Sequence, residues 1–444
     1  MTEQQKIPEP DQSTEQSSKT NDSKSLSPKL LIGVASIVVL AIIGVAIYAA
    51  WPRGPQWTEG EIATIRSLSI SELPPPPADP SNAVADDPLA VAFGEDLFFD
   101  ESLSVDGSVS CATCHDPEQS FTDGLAFSQG VGVTGRSAPS VIGTAYSDWF
   151  FWDGRTDSMW SQALGPLESP VEHGGARTFY VRLIDQNYRA QYEEIFGELP
   201  DFSDEERFPD SAAPLEDPES SGAWEAMSEE DRDSVNRVFA NMGKAIAAYQ
   251  RQIEFAPSRF DQYAEALVNN DTAAMRAALT PEEEAGLRVF ISSDGKCMTC
   301  HLGPLMTDNL FYSLDVPAVE GLEADRGRAV GVQQVAENEF NCLGEYSDAA
   351  PEDCQHLEDL DFEDPELENA MRTVTVRNVA ETAPYMHAGQ LETLEEVIEH
   401  YNDWEEPNRE IDLTEEQKAQ LVAFLRSLSS EVILPGEGGE TASR

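Results

Sequence analysis

Basic residues are scarce in this chain. Its 444 residues hold 28 Lys and Arg against 82 Asp and Glu, a formal net charge of -54. That deficit argues against a nucleic-acid partner, because a polyanion would be repelled. It permits steering of a basic protein partner, and it equally describes a solvated acidic surface in a salty environment. Acidity runs along the whole chain rather than in one patch, which favours the second account for most of the charge. Strand signals are few, so the expected class is mainly α. Histidine and cysteine number six each, so a pattern that uses both is informative.

The scarce residues meet in two places. Cys111-Ala112-Thr113-Cys114-His115 and Cys297-Met298-Thr299-Cys300-His301 are both C-x-x-C-H, the c-type haem attachment signature. In that reading the thiols of Cys111, Cys114, Cys297 and Cys300 add across haem vinyl groups. His115 and His301 then bind the irons, as proximal histidines commonly do. A single such motif also reads as a zinc site or a redox pair. Two copies about one small domain apart argue for two haem c groups. The two other cysteines, Cys342 and Cys354, lie in an acidic insertion over 318–370. An oxidising compartment would let them close a disulfide; free thiols are the alternative.

Taken in order, residues 1–29 are polar and read as a disordered cytoplasmic tail. Leu30 to Ala50 is an uninterrupted apolar run, long enough for a transmembrane helix. Lysines precede it, so the bulk of the chain is expected on the periplasmic side of the inner membrane. A cleaved signal peptide is the rival. No A-x-A site closes the run, and no Cys follows it to carry a lipid. Residues 51–88, with prolines at 74–77, read as an extended linker. Residues 89–275 are expected as an N-terminal haem c domain and 276–432 as a C-terminal one, with a tail over 433–444. Val235, Val238, Phe239, Met242, Ile246, Tyr249 and Ile253 recur at helical spacing. Thr280, Pro281 and Glu283 predict a capped helix start ahead of the second motif. Thr414 is the expected cap of a closing helix. The fold class is thus mainly α, two cytochrome-c-like haem domains after one membrane helix.

Five segments occur in order: CATCH, FFWDGR, QALGPLESPVE, CMTCH and TVRNVAETAPYMHAGQLETLEEVIEHYN. The series, over about 88–430, resembles the bacterial di-haem cytochrome c peroxidases, and among them the branch that includes MauG. The resemblance implies that peroxide reacts at the first haem and that the second relays electrons. By position it makes His115 proximal to the peroxidatic haem and sets Trp152 between the two haems. It puts Gln162 and Glu172 on the distal side, with Pro166 between them as in the MauG-like branch. A carboxylate over an apolar haem face is suited to general acid–base work on peroxide. The classical members carry a capping His after the first motif, but no His lies between His115 and His173. The first iron is therefore expected to keep an open position, with His173 the nearest substitute ligand. At the second haem the resemblance implies Tyr401 as sixth ligand in place of Met. Met386, His400 and Met371 compete. It also implies a calcium ion between the haems, held by Thr382, Pro384 and the residue at Ser137. There a hydroxyl stands where the family has Asn, a poorer donor for a hard cation.

The expected function is reduction of hydrogen peroxide with electrons from a cytochrome c or cupredoxin. One alternative is a MauG-like oxidase acting on Trp or Tyr residues of a partner protein. The other is an electron-transfer cytochrome without peroxide chemistry.

Overall fold

A computed structural model of the chain describes residues 57–403 and 411–436. The polar tail, the apolar run over 30–50 and residues 437–444 lie outside the described residues. Within them, no helix is long and apolar enough to cross a membrane. The architecture is mainly helical. The strands among the described residues are two-residue pairs, Glu254–Phe255 with Val432–Ile433 and Phe311–Tyr312 with Met371–Arg372, both antiparallel.

Two apolar clusters organise the helices. The first is built on the helix Glu229–Gln250, capped by the Ser228 hydroxyl. Its apolar stripe, Val235, Phe239, Met242, Ile246 and Tyr249, is buried as the periodicity predicts. Across it pack the helices Pro88–Phe98 and Met159–Glu168. Gly94 makes the first crossing possible: a Cβ there would lie 1.9 Å from the Ala245 carbonyl oxygen. The second cluster crosses Pro281–Ile291 with Glu415–Arg426, where a Cβ on Gly286 would likewise lie 1.9 Å from the Gln420 carbonyl oxygen. Both of these helices begin with the expected threonine caps. Thr280 and Glu283 satisfy each other's backbone N–H groups, and so do Thr414 and Gln417. In each cluster the glycine-bearing helix leads into a C-x-x-C-H turn.

The clusters do not divide the chain at one point. The helix Arg259–Val268, within the span 89–275, buries Phe260, Tyr263 and Leu267 in the second cluster. Val432 and Leu434, at the far end of the chain, pack against the first. The stretch 51–88, expected as an extended spacer, is folded onto the body from Trp57 onward. A capping box of Thr58 and Glu61 starts the helix Glu59–Ser67. Ile65 and Leu68 are wholly buried in the second cluster. Trp57 donates to the Tyr263 hydroxyl at 2.7 Å and lies under the Arg288 guanidinium. The proline run follows the surface, its carbonyls at Pro74 and Pro77 accepting from Tyr146 and Arg251. Apolar residues on one face of 59–68 give this segment something to bury, and that holds it to the body rather than away from it. Cys342 and Cys354 form the expected disulfide.

Candidate functional site

Each C-x-x-C-H segment is one tight helical turn, Cys111–Cys114 and Cys297–Thr299. None of the four thiols is in a disulfide. The two histidines are anchored alike. His115 Nδ1 lies 3.2 Å from the Phe121 carbonyl oxygen, and His301 Nδ1 lies 3.0 Å from that of Met306. Phe121 and Met306 both hold left-handed backbone, φ 57° and 51°, uncommon for side-chain-bearing residues. That twist turns their carbonyls toward the rings. Burial lowers both imidazole pKa values, so the rings are neutral. A carbonyl can only accept, so Nδ1 carries the proton and Nε2 keeps its lone pair for a metal.

Glu172 belongs to a loop folded back on the helix that carries Gln162 and Pro166. His173 N donates to the Pro166 carbonyl at 3.1 Å, and Gly175 N to Leu167 at 3.0 Å. The Tyr180 hydroxyl also donates to Leu167. From the other side Val131 N donates to the Glu172 carbonyl at 2.9 Å and Gly132 N to Val171 at 3.0 Å. Gly130 permits this approach, since a Cβ there would sit 2.5 Å from the Glu172 carbonyl oxygen. The glycine-rich loop after the first motif thus braces Glu172 beside that motif. Burial pushes the Cys111 thiol up to about 12, helped by Cys114 and by the Glu172 charge. Cys114 rises to about 12 for the same first reason, with Asp123 and Glu172 adding to it. His173 is turned elsewhere. It is buried, its Nδ1 lies 3.2 Å from the Leu103 carbonyl oxygen, and burial pushes its pKa down to about 4.

Beside the second motif lies a cavity of about 1210 Å³ lined by Cys297, Cys300, His301, Ile398 and Tyr401. That exceeds the usual ~300–1,000 Å³ of small-molecule pockets and suits a macrocycle. Burial, and after it Cys300 and Cys297, raises the Tyr401 hydroxyl pKa. Met371 and Met386 line the same cavity. His400 does not, because its Nε2 is 2.8 Å from the Leu314 carbonyl oxygen. Two cysteines outside any disulfide beside each histidine, and this cavity, fit covalent haem.

Trp152 is on the wall shared by that cavity and a smaller one of about 110 Å³. Its Nε1 donates to the Ser137 carbonyl at 2.9 Å. Ser137, Thr382 and Pro384 all line the smaller cavity, so the three expected calcium ligands do converge. The donor set is poor for calcium. No Asp or Glu is among the described lining residues, whereas Arg372 and Arg377 are. The Ser137 hydroxyl already donates toward the Met386 and His387 carbonyls.

Sequence reasoning missed the ionic frame around Trp152. Arg136 donates to Asp153 at 2.6 Å and to both oxygens of Asp325 at 2.7 and 2.8 Å. Arg155 closes back on Asp153 at 3.1 Å. Asp153 and Arg155 flank Trp152 in the Trp-Asp-Gly-Arg motif, so half the frame was visible. Asp325 comes from the acidic insertion, where no local pattern marks it.

A family model described as di-haem cytochrome c peroxidase matches residues 88–269. The cytochrome-c peroxidase IdrP1 of Denitromonas iodatirespirans is 30% identical over 380 residues, covering 81% of this chain and 86% of that protein. The methylamine utilization protein MauG of Methylorubrum extorquens is 28% identical, covering 81% and 82%. A crystal structure of a MauG-like protein associated with microbial copper homeostasis superposes with a TM-score of 0.54 at 25% identity, covering 81% of this chain and 95% of that one. The diheme peroxidase BthA of Burkholderia thailandensis shares the fold, with a TM-score of 0.55 at 24% identity over 80% and 89%. The cofactors implied are two haem c groups, one for each C-x-x-C-H turn. With two such turns, two identically anchored histidines and these relatives, the chain belongs to the di-haem cytochrome c peroxidase and MauG family.

Proposed function

We propose that this protein reduces hydrogen peroxide to two waters, taking two electrons from a small cytochrome c or cupredoxin. Haem iron, when bound, supplies the redox chemistry for O–O cleavage. The chain supplies the proton handling. Glu172 takes the proton from the inner peroxide oxygen and returns it to the outer one, a transfer for which a positioned carboxylate is suited. Gln162 orients the peroxide, and Pro166 shapes the helix turn beneath both. Trp152 links the two haem sites, and Tyr401, with His301, would hold the second haem iron. The observation that carries this reading is the asymmetry beside the first motif. Glu172 is near enough to act on both thiols, while His173, next to it in sequence, is buried against Leu103.

A second reading is oxidation of Trp or Tyr residues on a partner protein, and Tyr401 on the wall of the large cavity beside the second motif favours it. The proposal also includes a single membrane anchor over 30–50 with the body in the periplasm. Membrane fractionation with protease protection tests that part.

The chemical test is stopped-flow absorbance of the fully ferric holoprotein mixed with peroxide. A fast spectral change without prior reduction is expected. No change until one electron is added would overturn the open first site and make His173 a ligand. Product analysis with a cytochrome donor, against a candidate protein substrate, separates the two readings.

A further inference from the structure

The smaller cavity, on the wall of which Trp152 sits, has an unusual charge. Two guanidiniums line it, and no carboxylate does among the described residues. Arg377 is neutralised elsewhere, with hydrogen bonds of 2.9 and 3.0 Å to the two oxygens of Asp261. Among the described residues Arg372 has no carboxylate partner. It is buried; its Nη1 donates to the Asn309 side-chain oxygen at 3.0 Å and its Nε lies 3.4 Å from the Phe151 carbonyl oxygen. Its Nη2 has no acceptor among the described residues. Burial alone pushes its pKa down to about 10, so at neutral pH it remains a cation that lacks a counter-charge. A buried charge of this kind is costly unless something pairs with it.

Two consequences follow. Among the described residues Asn309 carries the one side-chain amide oxygen on this wall, and Arg372 already holds it. Calcium prefers several oxygen ligands, carboxylates above all. Here it would meet hydroxyls and carbonyls beside an unneutralised guanidinium, and like charges repel most where water is excluded. The cavity therefore favours an anion. Arg372 also lines the large cavity of the second motif, and a haem brings carboxylates of its own. Guanidinium and carboxylate pair with parallel, charge-assisted hydrogen bonds.

We propose that Arg372 is the resident cation between the two haem sites in this protein, that it pairs with a carboxylate of the haem attached at Cys297 and Cys300, and that no calcium binds there. Arg372 is a positioning residue for that haem and not a catalytic one. The inference rests on haem being attached at the second motif, and a pyridine haemochrome count on the same sample checks that separately.

The test is made on the haem-loaded full chain, with calcium itself as the probe. After equilibration with calcium chloride and gel filtration, elemental analysis is expected to find no calcium retained. EGTA is expected to leave the haem spectra and the second haem's reduction potential unchanged. One calcium retained per chain, with a spectral change on EGTA treatment, would overturn the proposal. Arg372→Met is expected to lower the potential of the second haem, since a nearby positive charge favours the reduced state, and Arg372→Lys to restore most of it. An Arg372→Met protein that keeps two haems and an unchanged potential would overturn the pairing. If Arg372→Met fails to fold, the calcium measurement on the unaltered chain still decides the calcium half, and Arg372→Gln, which keeps hydrogen-bond donors but loses the charge, should lower the potential likewise; an unchanged potential there would overturn the pairing.

Discussion

Glu172 is one of 82 acidic residues, and in the sequence only its place at the end of the QALGPLESPVE segment singles it out. What sets it apart is position: a loop clamped to the helix Met159–Glu168 on one side and to Val131 and Gly132 on the other. Glu172→Gln keeps the size and the backbone contacts but removes the proton acceptor. Peroxide consumption should fall about 10²-fold or more, the range for loss of a positioned acid–base group. Initial rates on the haem-loaded protein check this, and an unchanged rate would remove Glu172 from the chemistry. Tyr401 makes the second residue-scale prediction. Thioether ligation raises a c-type haem potential, so Tyr401→Met should raise that of the second haem. The shift should be on the order of 100 mV, well inside the ~0.8 V that axial ligands span. Spectroelectrochemistry reads it, and no shift would mean that Tyr401 does not bind the iron. The two C-x-x-C-H turns were legible because five residues in a row suffice to mark them. Arg372 was not, because an unpaired charge is a property of the residues around it. Those come from positions as far apart as Phe151 and Asn309.

At the scale of elements, the two clusters repeat one device. A helix leading to a haem turn crosses a second helix at a glycine, Gly94 against Ala245 and Gly286 against Gln420. Alanine is the better helix former by about 1 kcal/mol, yet at either site its Cβ would meet backbone rather than a yielding side chain. Gly94→Ala and Gly286→Ala should each cost about 1–3 kcal/mol, the usual overpacking penalty. Each should lower the thermal midpoint of the holoprotein, and a midpoint unchanged or raised would mean that the helices separate freely. The helices were readable in the sequence because the caps and the 3.6-residue period act locally. Thr280 and Thr414 cap where expected. The crossings were not readable, since a glycine in a helix looks the same whether it meets solvent or a carbonyl. The proline run misled for a related reason. Its extended preference is real, but Ile65 and Leu68 just before it have apolar area to bury.

At the scale of the whole molecule, one buried pair joins segments that the sequence separates. Asp261 accepts from Arg377 and from Ile70 N, and Arg377 also donates to the Leu68 carbonyl. Burial by itself raises the Asp261 pKa, but the charge and hydrogen bonds of Arg377 outweigh it and hold the carboxyl below its ordinary value. A carboxyl with a lowered folded pKa stabilises fully above its unfolded value of about 3.9, and that stabilisation is lost as pH falls through the folded one. Asp261→Asn leaves Arg377 buried without a counter-charge and should cost about 3–5 kcal/mol near neutrality. The difference from the unaltered protein should shrink below about pH 4, as thermal melts against pH would show; a constant difference would exclude the ionic account. The net charge of -54 bears on partners as well as on stability. If the acidity serves only solvation, added salt should relieve self-repulsion and raise the thermal midpoint, while turnover with any donor stays flat. If it also steers a basic donor, kcat/KM with a cationic cytochrome should fall about tenfold between low salt and ~0.5 M, because steering adds about 10–10³ to association rates and is screened by salt. With an acidic donor of similar potential the rate should hold or rise over the same range. A fall with the acidic donor as well would mean that salt perturbs the haem sites and not the encounter.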